Sequence, residues 1–364
     1  MTTILNNLKF QCQPHLLKFR FEAGTSRGTL TEKCSFFISA FEEEKEQVKG
    51  WGEAGPLPKL SEDDIPDFEH RLKELCHRLS GAVIPKTMIE ILDWVEDNIP
   101  AELPSIRFAF ETALLDLMHG GSKKILDNSF FDQEKAIPIN GLIWMGDKEF
   151  MLDQIDRKLE EGYDCIKMKI GAIDFDQECA LLEYIRNRFS PEQITIRVDA
   201  NGAFQVDQAL EKLKRLAAFA LHSIEQPIRQ GQQKQMKALC ALTPLPIALD
   251  EELIGIHGLE EKRMLLETIR PQYIILKPTL LGGIRSSEEW IDTAENLGIG
   301  WWITSALESN IGLNAIAQFT ATKKVKMPQG LGTGQLYHNN IESPLTIEKG
   351  QLYYRKEKKW DQNI

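Results

Sequence analysis

Charged residues recur at the ends of apolar runs through the middle of this chain, at a spacing few folds can produce. The runs are Cys165-Ile166-Lys167-Met168-Lys169-Ile170, Arg197-Val198-Asp199-Ala200-Asn201, Ile224-Glu225-Gln226-Pro227, Ala248-Leu249-Asp250-Glu251 and Ile274-Ile275-Leu276-Lys277-Pro278. Lys169 and Asp199 are 30 positions apart, Asp199 and Glu225 are 26, Glu225 and Asp250 are 25, and Asp250 and Lys277 are 27. One strand, one helix and two loops occupy about 25–30 residues. Side chains repeating at that period, each at a strand end, describe the active face of a (β/α)8 barrel.

The rhythm starts near Ala136. It predicts strands at 137–142, 165–170, 194–199, 222–225, 247–250, 273–277 and 300–304, with a weak eighth near Gln329-Gly330-Leu331. Helical stretches separate them, at 176–188, 206–220 and 286–297 among others. Residues 105–118 form a strong helix whose mixture of small and large apolar residues suits close packing. Upstream, 16–21, 34–39 and 47–54 read as strands, and the acidic run Glu42-Glu43-Glu44 as a solvated turn. Ile65, Phe68, Leu72, Leu75 and Leu79 recur at helical spacing within 61–98, and Ser61 with Asp64 suggests a capped start. Strands followed by helices make an α+β unit. The expected layout is an α+β capping domain over 1–104, a barrel over 105–334, and a segment 335–364 whose strands, near 345–347 and 351–354, return to the cap.

A net charge of −11 disfavours a nucleic-acid partner. No run is apolar and long enough to span a bilayer, and the N-terminus lacks the pattern of a signal peptide. The six cysteines are scattered without a CxxC, as in a cytoplasmic protein with reduced thiols. There is no P-loop, HExxH or GxSxG; Gly330-x-Gly332-x-Gly334 is not a dinucleotide fingerprint; and His222 and His257 read as structural or surface residues.

One strand-end carboxylate alone is most often simply exposed. Asp199, Glu225 and Asp250 end three neighbouring strands, and three carboxylates in one mouth repel unless a cation sits among them. A hard divalent ion such as Mg²⁺, or Mn²⁺ in its place, suits such oxygen ligands and leaves room for substrate oxygens. Lys167 and Lys169 alternate on one strand and so face the same way, while Lys277 lies across the barrel. Burial and neighbouring cations lower a lysine's pKa and make it a usable base. Metal and base together suggest abstraction of a proton beside a small-molecule carboxylate, with the enediolate held electrostatically. Of Trp301 and Trp302, the inward one reads as core.

The order Lys-x-Lys, Asp-x-Asn, Glu-Gln-Pro, Asp-Glu and Lys-Pro resembles the enolase superfamily, in particular its muconate-lactonizing subgroup. The resemblance implies a modified (β/α)8 barrel, (β/α)7β, with an α+β capping domain built from both termini. It implies Asp199, Glu225 and Asp250 as metal ligands and Lys169 and Lys277 as acid/base residues, with Lys167 biasing charge at the substrate carboxylate. A cap loop at 25–28 would close over the substrate, with Arg27 as its polar contact. The strings at 138–146, 305–312 and 330–334 resemble the members that dehydrate 2-succinyl-6-hydroxy-2,4-cyclohexadiene-1-carboxylate to aromatic o-succinylbenzoate in menaquinone biosynthesis. On that likeness Lys169 would take the α-proton and return a proton to the departing hydroxide, and Lys277 would face the other side of the ring. Asn201, Ser305 and Gly332 are further candidates for substrate contact, the last two at the succinyl end.

Racemases of N-acylamino acids and dipeptide epimerases of the same subgroup share the metal and paired lysines. The epimerases typically carry Asp-x-Asp at the eighth strand, where this chain has Gly330-Leu331-Gly332-Thr333-Gly334. A non-catalytic barrel would be free to lose a ligand or base, yet all six charged residues are kept.

Overall fold

A computed structural model describes residues 4–25 and 28–361. Seven parallel strands form one sheet in sequential order: β1 (Gly141–Ile143), β2 (Cys165–Lys169), β3 (Thr195–Asp199), β4 (Ser223–Glu225), β5 (Ile247–Leu249), β6 (Tyr273–Leu276) and β7 (Gly300–Ile303). Helices follow the strands, as in Phe175–Arg186, Val206–Ala217 and Gly283–Asn296. The expected eighth strand is reduced to two single parallel bridges, Ile139 to Gln329 and Thr304 to Gly330. They link the two edges of the sheet, so the curled sheet closes through segment 329–330.

The expected first strand divides. Ile137–Pro138 pairs with Gln351–Tyr354, which forms an antiparallel hairpin with Leu345–Glu348, whereas Gly141–Ile143 pairs with β2. Pro138 cannot donate to a ladder, which suits the edge position it takes. Residues 336–339 instead run beside the N-terminal strand, where Arg20 N donates to Leu336 O at 2.8 Å and His338 N to Lys18 O at 2.9 Å.

Leu8–Thr25, Gly28–Glu42 and Gly50–Ala54 make a three-stranded antiparallel sheet. The helix expected to start at Ser61 begins at Phe68. Pro66 disfavours helical geometry at Ile65, and the Ser61 hydroxyl is engaged by Leu57 N at 2.7 Å. A second helix, Met88–Asn98, follows a break at 80–87 where Ile84–Pro85 pairs with Ile4–Leu5. Helix Pro104–Met118 lies against Gly50–Ala54 so closely that a Cβ on Gly52 would stand 1.9 Å from Ala109 O, and one on Gly50 would stand 2.1 Å from Ala113 O. Only glycine permits that approach.

Glu111 on this helix is buried and accepts from the backbone N–H groups of Ile284 and Arg285. Burial pushes its carboxyl up to about 8, against the pull of those donors. The folded chain therefore holds a proton that the unfolded chain releases near pH 4.5, and Glu111 makes stability fall as pH rises from there to about 8. Glu111→Gln removes this dependence. Across that window, its stability relative to wild type should climb by a few kcal/mol in denaturant titrations, at roughly 1.4 kcal/mol for each step of one in pH. A difference independent of pH would refute the assignment.

Candidate active site

Register sets the site. Lys169 pairs with Asp199 and Asp199 with Glu225, so three charged residues stand at one level on adjacent strands. Asp250 and Lys277 directly follow β5 and β6. All five therefore end at the C-terminal face of the sheet, where cap and barrel enclose a cavity of about 520 Å³. Lys167, Lys169, Asp199, Asn201, Lys277, Ser305 and Gly332 line it, together with Phe21 and Leu57 from the N-terminal region. Glu225 and Asp250 do not reach its surface. Arg27 lies outside the described residues.

The carboxylates are only 1–2 % exposed. Lys167 Nζ stands 3.0 Å from Asp199 Oδ2 and 2.5 Å from Glu225 Oε2, and Lys277 Nζ hydrogen-bonds Asp250 Oδ2. Lys169 is placed differently. It donates to the neutral Asn201 Oδ1 at 3.0 Å, lies 3.8 Å from Asp199, and sits over the Trp144 ring at 5.4 Å from its centroid. Burial lowers the Lys169 pKa, with Lys167 and Lys277 adding to the effect and Asp199 opposing it. Burial acts the same way on Lys167 and Lys277, but their carboxylate neighbours outweigh it and both are raised. Burial opposes the Asp199 carboxylate too, yet the three lysines hold its pKa below the usual range. For Glu225, burial and then the charge of Asp199 raise the pKa well above the ordinary value.

Among the described residues, no three acidic, histidine or cysteine side chains close around one point. Lysine ammonium groups hold the carboxylates instead. The donor set nonetheless fits a hard cation. It offers only oxygens, on adjacent strand ends, and Glu225 Oε1 has no hydrogen-bond partner among the described residues. Asp199, Glu225 and Asp250 are the residues that would hold a divalent ion, after Lys167 or Lys277 yields.

Several side chains take roles that strand-end charge did not reveal. Asn201, left-handed at φ 42°, accepts from Lys169 and donates to Glu251 Oε1 at 3.1 Å, so it orients the lysine. The Ser305 hydroxyl is fully engaged: it donates to buried Glu308 and accepts from Thr333 Oγ1 at 2.7 Å and Leu307 N at 3.1 Å. Glu53, from strand Gly50–Ala54, accepts from Ser309 N at 2.9 Å and Gly312 N at 3.0 Å, clamping this cavity wall from the cap. Trp144 follows Asn140 and Leu142 in an alternation that points into the cavity, and that period was the available signal. Trp302 is core, stacked on Arg197 at 4.2 Å. His222 hydrogen-bonds Ser223, and His257 pairs with Glu62.

Gly332 lines the cavity with ordinary φ, and a Cβ there would meet nothing nearer than Asn140 O at 3.6 Å. Backbone strain does not require this glycine. Gly332→Leu should leave the thermal midpoint within a few degrees but lower kcat/KM by roughly 10- to 100-fold by filling substrate space. Unaltered kinetics would show that substrate does not reach this wall.

Residues 151–357 match the family model described as enolase C-terminal domain-like. An o-succinylbenzoate synthase of Desulfotalea psychrophila is 51% identical over 357 residues, covering 92% of this chain and 96% of that protein. An N-succinylamino acid racemase of Thermus thermophilus is 31% identical over 300 residues, covering 81% and 77%. The crystal structure of MenC from Desulfotalea psychrophila superposes with a TM-score of 0.84 at 45% identity, covering 95% of this chain and 99% of that one. Muconate lactonizing enzyme from Pseudomonas fluorescens shares the fold at TM-score 0.82 and 22% identity, covering 96% and 94%.

Proposed function

The chain belongs to the enolase C-terminal domain-like family, and from that premise we propose that it is an o-succinylbenzoate synthase. It is a hydro-lyase that removes water from 2-succinyl-6-hydroxy-2,4-cyclohexadiene-1-carboxylate. The observation that carries this reading is the pair of lysines facing one cavity above three buried carboxylates, in a chain 51% identical to such a synthase.

Enzymes of this superfamily use a divalent metal; we take it to be Mg²⁺, held by Asp199, Glu225 and Asp250, where it would acidify the α-proton of a carboxylate substrate. Lys169 takes that proton, because its nearest partner is a neutral amide rather than a carboxylate. It then gives a proton to the C6 hydroxyl oxygen. The C–O bond breaks, water leaves, and the new double bond completes the aromatic ring. Lys277 remains an ammonium group over the opposite ring face, an attraction that grows as the ring becomes aromatic. Lys167 balances charge beneath the substrate carboxylate.

Racemisation needs both lysines to act as bases in turn. The racemase relative is only 31% identical, whereas the synthase is 51% identical over 92% of this chain, which favours elimination. The decisive assay follows loss of diene absorbance when purified protein meets substrate and Mg²⁺. Rapid loss supports the synthase. No loss, with metal demonstrably bound, sinks it, and α-deuterium exchange in N-succinylamino acids becomes the next measurement.

A further inference from the structure

Glu251 follows the candidate ligand Asp250 and opens the short 3-10 turn Glu251–Leu253 after β5. It is buried, and the mechanism above does not use it. Its Oε1 accepts from Asn201 Nδ2 at 3.1 Å, and Asn201 Oδ1 accepts from Lys169 Nζ at 3.0 Å. Two hydrogen bonds in series therefore join the end of β5 to the base on β2, the first of them spanning β4. The Asn201 backbone is fixed separately, since its N–H donates to Asp199 Oδ1 at 3.0 Å. The side-chain bonds decide which end of the amide faces the lysine.

Donors and acceptors match in one orientation. An amide has one accepting end and one donating end, whereas a carboxylate only accepts. With Nδ2 toward Glu251, Oδ1 faces Lys169 and takes one of its N–H groups. The rest of the amine stays open to the cavity that Lys169 lines. The reverse orientation would set Oδ1 against the Glu251 oxygens and Nδ2 against Nζ. An ammonium group has no acceptor for that donor, and a neutral amine would have its single lone pair occupied by it. In neither state could the lysine take a proton from carbon.

We propose that Glu251 is a positioning residue for the dehydration: by fixing the Asn201 amide, it keeps the accepting end against Lys169 Nζ and the base's lone pair open to the substrate. The assignment rests on the synthase reading. Glu251 acts through Asn201 rather than through its charge, although that charge also reaches Lys277.

The test compares variants of the full chain with wild type in the presence of Mg²⁺. Glu251→Met removes the acceptor at similar length. It should lower kcat by roughly 10- to 100-fold, the scale of a misplaced reacting group, and leave KM within about threefold because the base acts in the chemical step. Glu251→Gln keeps a carbonyl acceptor without the charge and should recover most of that loss. Glu251→Asp keeps the charge but withdraws it from Asn201, and its kcat should fall. Asn201→Ala is slow as well, and adding Glu251→Met to it should cost no more than about a further twofold, because the link is already cut. The rise in thermal midpoint on adding Mg²⁺ should be alike in wild type and Glu251→Met. Losses that add in the double variant overturn the proposal. So does Glu251→Gln as slow as Glu251→Met, or Glu251→Asp as fast as wild type, since either makes the charge the agent. A Mg²⁺ response lost in Glu251→Met would overturn it by assigning Glu251 to the metal. If wild type itself does not turn over, the synthase reading fails and takes this proposal with it.

Discussion

Lys169→Ala abolishes dehydration, lowering kcat by about 10⁴-fold, while o-succinylbenzoate still binds. The size follows from the double duty proposed for this side chain, to take a proton from carbon and give one to the departing oxygen. No neighbour can substitute. Lys167 and Lys277 are engaged by carboxylates, and Asn201 has no proton to exchange near neutral pH. Stability should change little, because Lys169 sits against a neutral amide and an aromatic ring. Lys277→Ala behaves in the opposite sense. Its kcat falls less, by roughly 30-fold for a lost cation–π contact of about 2 kcal/mol. Its stability falls more, by about 3–5 kcal/mol, because buried Asp250 loses its cation. Rates from diene absorbance and unfolding free energies from denaturant titration separate the two variants. A Lys169→Ala enzyme within about tenfold of wild type would falsify the assignment of the base.

Glu225→Gln raises the thermal midpoint of the metal-free protein and removes its response to divalent cations. Glu225 is 2 % exposed, its Oε1 is unpartnered among the described residues, and burial with Asp199 raises its pKa well above the ordinary carboxyl value. Folding without a cation therefore draws a proton onto Glu225 or confines a charge that burial and Asp199 disfavour more than Lys167 favours, and Lys167 keeps Asp199 as its partner in the variant. That cost is absent below the unfolded carboxyl pKa and grows as pH rises above it. Glutamine keeps the shape and never bears the charge, so the variant's advantage should widen with pH. A gain of about 1–3 kcal/mol corresponds to several degrees. Wild type, in contrast, should be stabilised by millimolar Mg²⁺ according to its affinity, and Glu225→Gln should not. Scans with chelator and with Mg²⁺ test both halves. A midpoint that drops in the variant, or an intact Mg²⁺ response, would remove Glu225 from the ligand set.

The legible part of this protein was the part written at a fixed period. Strand ends repeat every 25–30 residues, and parallel pairing puts residues at equal depth side by side, so spacing alone brought Lys169, Asp199 and Glu225 to one level. Alternation put Lys167 and Lys169 on one side of β2. Barrel strands β2 to β7 follow from their apolar runs, because parallel strands covered on both faces are rich in apolar residues. The eighth was barely visible because it consists of two bridges rather than a ladder. The helix break at 80–87 is hidden in the sequence because apolar spacing persists through a turn and a short strand.

The amino-acid sequence by itself determined the architecture and which charges meet at the mouth of the barrel, because these depend on short-range periodicity. Tertiary structure decided what each charge faces. Lys169 and Lys277 are the same residue type at equivalent strand ends, yet one faces Asn201 and Trp144 and the other Asp250. Asn140 reads in sequence as one polar residue in an apolar run; only burial in the assembled fold leaves its oxygen without a partner among the described residues. Glu53 and Ser309 are 256 positions apart and hydrogen-bonded. Hydrogen-bond satisfaction and local dielectric are properties of the assembled surroundings, and no periodicity along the chain encodes them.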